Sequence, residues 1–102
     1  MKLTILERIL LLQILPTEGD LITLKVIRDL QNVLGFSEAD YKKYKIKQEG
    51  QQITWDITEG SKEVELKVGE KAQDIIKESF QKLDKEKKLE AKHINLYERF
   101  VK

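Results

Sequence analysis

Residues Tyr44–Val68 read YKIKQEGQQITWDITEGSKEVELKV, and their patterning decides the fold class of the chain. Apolar and polar residues alternate through three short runs: Tyr44 and Ile46; Ile53, Trp55 and Ile57; Val64, Leu66 and Val68. A period of two is what a strand with one buried and one wet face requires. Gly50 supplies a tight first turn, and Thr58–Lys62, which contains Gly60, supplies a looser second one. Short connections pair neighbouring strands antiparallel. The expectation is therefore a three-stranded antiparallel meander, with Trp55 on its central strand. Its apolar face, from Ile46 and Ile53 to Ile57, Val64 and Leu66, gains roughly 1.5–3 kcal/mol per fully buried side chain as an upper bound.

The segments on both sides have helical period. Thr4 and Glu7 form a capping box that opens a helix over about Ile5–Leu15, and Pro16 closes it. That helix is apolar nearly all round, so it is either the central helix of a monomeric core or part of a subunit interface. Asp20 caps a second helix over Leu21–Leu34; Gly35 suits a left-handed position after its end, with Phe36 sealing the motif. Ser37–Asp40 opens a short third helix that runs to about Lys43. After the meander, Ala72, Ile75, Ile76, Ser79, Phe80 and Leu83 form one stripe on a helix over Glu70–Glu86. A last helix spans about Glu90–Val101, with Ile94, Leu96 or Tyr97, Phe100 and Val101 facing inward. The fold class is α+β: a meander flanked by two N-terminal helices, a short third, and two C-terminal helices, in one domain over residues 1–102. The first helix and the Glu70–Glu86 helix are the expected covers of the sheet.

Composition narrows the function classes. With no cysteine, the chain has neither a disulfide framework nor a thiolate metal site. Its formal net charge of +1 gives no long-range attraction to phosphate. The longest apolar run is far short of the ~20 residues of a spanning helix. Glu7 and Arg8 interrupt the region where a signal peptide would be apolar, so the cytoplasm is the expected location.

Chemistry-bearing residues have structural readings. His93 is the only histidine; Glu90 and Tyr97 are its neighbours on a helix, and no second ligand accompanies it. Asp56 is expected on the outward face of the central strand among Lys45, Lys47, Glu63 and Glu65, an arrangement for cross-strand ion pairs or, alternatively, a paired-carboxylate site. Phosphate loops and nucleophile elbows are absent, so no catalytic, cofactor-binding or metal residue is named, and an enzyme remains the third reading. The leading expectation is a non-enzymatic protein-binding, assembly or regulatory module. Leu6, Leu10, Leu11 and Ile14 on the apolar first helix contact the partner, a second copy among the candidates. The alternative is a DNA binder resembling a winged helix, with Lys42, Lys43, Lys45 and Lys47 around Tyr41 and Tyr44 touching nucleic acid.

The segments Glu7–Asp20, Ile22–Leu30, Gly69–Lys77 and Leu96–Val101 (ERILLLQILPTEGD, ITLKVIRDL, GEKAQDIIK and LYERFV) resemble small proteins of bacteriophage and prophage gene sets. The resemblance carries no catalytic signature. It implies a setting inside a bacterial cell, where such proteins commonly act by contacting another macromolecule.

Overall fold

The computed structural model describes residues 1–101 and is α+β, predominantly helical with short antiparallel strands. In chain order the elements are β1 (Lys2–Leu3), α1 (Ile5–Ile14), α2 (Leu21–Leu34), α3 (Glu38–Lys43), β2 (Lys47–Glu49), β3 (Gln52–Thr54), α4 (Ile57–Gly60), β4 (Val64–Glu65), α5 (Glu70–Lys85), a 3₁₀ turn (Ala91–His93) and α6 (Ile94–Phe100).

The helix starts follow the local chemistry of the sequence. Thr4 Oγ1 accepts from the Glu7 amide at 3.2 Å, and Glu7 Oε1 accepts from the Thr4 amide at 2.9 Å, which completes the capping box of α1. Asp20 accepts from the Thr23 amide at 2.7 Å to open α2. Ser37 and Asp40 exchange the same pair of bonds at α3. Each arrangement satisfies amides that have no partner inside the helix.

Helix α1 is apolar all round because it lies between two cores of the same chain. Its Leu10 and Leu11, with Leu15 beyond its end, pack against Ile27, Leu30 and Leu34 of α2, Ile76 and Phe80 of α5, and Leu96 of α6. Its Ile5 and Ile9 face the other way, onto a smaller cluster with Tyr44 and Ile46, against which Phe36, Ile53 and Trp55 pack. Phe80 is the centre of the larger core, with the rings of His93, Tyr97 and Phe100 at 6.1, 6.1 and 6.3 Å.

The three-stranded meander is replaced by two separate two-stranded sheets. β2 and β3 form a hairpin in the register Lys47↔Thr54, Gln48↔Ile53 and Glu49↔Gln52, turning through Gly50 at φ 62°. The third run leaves this hairpin and pairs with the N-terminal residues, Lys2↔Glu65 and Leu3↔Val64. The reason lies in Asp56. Its Oδ1 accepts from the Glu59 amide at 3.2 Å and starts the helical turn α4, which breaks the alternation between the second and third runs. Ile57 is therefore 79% exposed instead of buried, and Trp55 is half-buried. The first run also begins later than its pattern implies, because Tyr44 caps the end of α3 and Lys45 takes φ 52°. The N-terminal ammonium fastens β1 by donating to the Leu66 carbonyl at 2.8 Å and to the Glu65 carboxylate. The hairpin cluster takes Ile5 and Ile9 from α1 and none of its residues from α5, which packs on α1, α2 and α6.

Two helix ends also differ from expectation. Gly35 has φ −67° and ψ 174°, which is extended and not left-handed. A β-carbon there would lie 2.9 Å from the Gln31 carbonyl oxygen, so close approach explains the glycine. The left-handed helix end is at α5, where Lys87 has φ 57°. Its amide donates to the Asp84 carbonyl at 3.0 Å and the Lys88 amide to the Leu83 carbonyl at 2.8 Å, a Schellman motif with lysine in the glycine position. In α6, Leu96 is buried and Ile94 is exposed, so Ile94 does not face the core.

Candidate functional site

Arg8 organises the face that carries the lysines. It projects from α1 with only 3% of its surface exposed. Its Nε donates to the Leu34 carbonyl at 3.0 Å, and its Nη2 donates to the Gly35 carbonyl. The guanidinium lies 4.2 Å from the centre of the Phe36 ring and 3.8 Å from Asp40. It satisfies carbonyls at the end of α2 and so replaces a left-handed glycine cap. Burial lowers its pKa from the ordinary arginine value, while the charge of Asp40 opposes that shift. These contacts fix the three-residue turn Gly35–Ser37 and therefore the placement of α3 on the core.

Between α3 and the hairpin runs an open groove of about 580 Å³, walled by Tyr41, Lys42, Lys45, Lys47, Trp55 and Asp56. Lys47 sits opposite Thr54 in the hairpin register. The backbone is tied at both ends of the groove: the Ile46 amide donates to the Tyr41 carbonyl at 3.1 Å, and the Asp56 amide to the Tyr44 carbonyl at 2.7 Å. Lys42, Lys45 and Lys47 are thus brought together, whereas Lys43 turns its Nζ over the Tyr44 ring at 5.4 Å and is outside the groove lining. No strand lies between α1 and α2, and β1 pairs with β4 instead of the hairpin, so the strand arrangement of a winged helix is not reproduced.

The four α1 positions fall in different places. Leu10 and Leu11 are buried in the larger core and unavailable at the surface; Leu6 is 49% exposed; Ile14 is partly buried. Ile14 lines a second groove, of about 360 Å³, with Pro16, Thr23, Ile75, Ser79 and Leu83, and charged side chains of α5 such as Glu78 and Lys82 form its rim. Beside Thr23, Leu21 and Ile22 are 68% and 69% exposed. Both lie ahead of the apolar stripe of α2 that reaches the core at Ile27, Leu30 and Leu34, which is the signal in the sequence that they stay outside it.

The residues read for chemistry are used structurally. His93 Nδ1 accepts from the Glu90 amide at 3.1 Å and its ring abuts Phe80. Tyr97 donates its hydroxyl to Asp84 at 3.1 Å, not to His93; burial and that acceptor raise its pKa from the ordinary tyrosine value. Asp56 is a helix cap, not an outward strand residue. Among the described residues no group of three or more His, Asp and Glu side chains could hold a metal ion, and no helix is long and apolar enough to cross a membrane. No protein-family model matches the chain, and neither a curated protein sequence nor a solved structure has detectable similarity to it.

Proposed function

We propose that the chain is a non-enzymatic binding and assembly module, and that it makes its protein contact through the start of α2 and the groove between the end of α1 and α5. The observation that carries this reading is the exposure of Leu21 and Ile22 next to an apolar groove floored by Ile14, Ile75 and Leu83. Large aliphatic side chains exposed beside an apolar hollow are costly to leave uncovered, and apolar surface next to a groove marks contact sites. A protruding pair beside a hollow can also serve a second copy of the chain: under a two-fold axis each protruding pair enters the other copy's groove. The contact proposed from sequence at Leu6, Leu10, Leu11 and Ile14 thereby moves from α1 to its neighbours and retains Ile14. The setting that goes with this reading is a bacteriophage or prophage product at work in the bacterial cytoplasm.

Size-exclusion chromatography with light scattering over a wide dilution series tests self-association. A dimer that Ile22→Asp converts to a folded monomer supports the two-fold contact. A monomer at every concentration leaves only a different protein as partner, and a pull-down from the bacterial host then decides. If wild type and Ile22→Asp capture the same proteins, this surface is not the contact.

A further inference from the structure

The groove between α3 and the hairpin is a different surface, and no residue that lines it lines the α1–α5 groove. We infer that it binds single-stranded nucleic acid, with Lys42, Lys45 and Lys47 on successive phosphates and Tyr41 as a stacking platform for a base.

Charge comes first. The net charge of the chain is only +1, but phosphate contacts act locally, since the Debye length is about 8 Å at physiological salt. One carboxylate lines the groove: Asp56, one oxygen of which accepts from the Glu59 amide. Asp40 bonds to the Ser37 amide and faces Arg8, and it lies outside the groove lining, as do the exposed Glu38 and Glu49. With three lysines against one carboxylate, the groove is more basic than its sequence neighbourhood.

The aromatic ring is the second element. Tyr41 is half-exposed, and its ring meets Phe36 edge-on with centroids 6.3 Å apart. That contact holds the ring in place, and Arg8 beneath Phe36 holds the turn. A fixed, half-exposed ring flanked by lysines matches the way single strands are gripped, by base stacking along a positive channel.

The backbone at Lys45 adds an independent observation. A lysine at φ 52° stands where glycine or asparagine costs less. The conformation turns the chain from α3 into β2, and Lys45 lines the groove with Lys42 and Lys47. Residues kept in such conformations are concentrated at functional sites.

Duplex DNA fits less well. Helix α3 has six residues, about 9 Å of length, and opens on Glu38. An acidic first turn is repelled by the phosphates that line a major groove, and among the described residues none within another helix lines this surface.

Fluorescence anisotropy with a labelled thymidine oligonucleotide, and a duplex of the same length, tests the inference at low salt. The expected result is tighter binding of the single strand, with log affinity falling against log salt at a slope of about −2, from three phosphates at about −0.7 each. Tyr41→Ala is expected to weaken binding about tenfold, within the range for one stacked base. Lys45→Gly removes the charge and relieves the backbone, so it is expected to lose affinity while unfolding at the same or a higher temperature. Lys71→Ala, on the exposed side of α5, is expected to bind as wild type. Absence of binding at low salt overturns the inference, as does an unchanged affinity in the Lys42→Ala/Lys45→Gly/Lys47→Ala variant with native circular dichroism. Equal affinity for the duplex, unaffected by Tyr41→Ala, also overturns it in favour of simple electrostatic attraction. None of these outcomes depends on oligomeric state, so the assembly proposal stands or falls separately.

Discussion

Replacing Arg8 by methionine removes the guanidinium while keeping much of the side-chain volume. The Leu34 carbonyl then loses a donor inside the protein, and the Gly35 carbonyl loses one where water reaches it in part. An orphaned buried acceptor costs roughly 1–3 kcal/mol. The lost stacking on Phe36 adds roughly 0.5–2 kcal/mol. Asp40 is partly exposed and contributes little, on the order of the surface ion-pair range below 1 kcal/mol. Against these stands relief from keeping a cation out of water, so the net loss is about 2–4 kcal/mol. At roughly 4–8 °C per kcal/mol for a domain of this size, the midpoint falls by about 8–32 °C. Arg8→Lys is expected to recover only part of the loss, because one ammonium does not reproduce the fork that meets two successive carbonyls. Urea unfolding read by two probes checks the reasoning. Trp55, the only tryptophan, reports the hairpin cluster, while far-ultraviolet circular dichroism reports the helices. In Arg8→Met the tryptophan transition is expected to move to lower urea than the helical one, because the α2–α3 turn loosens first. A methionine variant as stable as wild type, with coincident transitions, would refute the role assigned to Arg8.

Other perturbations follow from the backbone and from the charges. Lys87→Gly relieves the left-handed position at the end of α5 and is expected to raise stability by about 1 kcal/mol, read as a higher urea midpoint. Gly60→Ala puts a β-carbon 2.5 Å from Trp55 Cδ1, and the expected cost is about 1–3 kcal/mol, accompanied by a changed tryptophan emission spectrum. Hydrogen bonding from the Thr23 backbone depresses the Asp20 pKa, and hydrogen bonding to the N-terminal ammonium, reinforced by its charge, depresses that of Glu65. A depressed carboxylate contributes stability that is present above its unfolded pKa and lost as pH falls through the folded one. Acid titration of the unfolding midpoint is therefore expected to flatten at its onset in the Asp20→Asn/Glu65→Gln variant.

Sequence by itself determined α1, α2, α3 and α5 to within about a residue, but not the helical turn α4. Caps at Thr4, Asp20 and Ser37 and the stripe of α5 depend on side chains a few residues apart, so local chemistry is sufficient to place them. Local pattern also gave the first hairpin, because Gly50 and the alternation around it act within one turn. Only the tertiary structure decided what pairs with the run at Val64. Its alternation shows that one face is buried but is silent about the partner strand, and the partner proved to be Lys2–Leu3 at the other end of the chain. Likewise, the all-round apolarity of α1 is equally compatible with one core, two cores or an interface; packing on both sides within one chain selected the second. The candidate sites divide in the same way. The lysines around Tyr41 were legible because they are close in sequence, whereas the apolar groove joins Ile14, Thr23 and Ile75, which only long-range packing brings together. Arg8 was the least legible residue of all: it looks like a surface charge on a helix, and its role exists only because α2 happens to end against it, with two carbonyls in need of a donor.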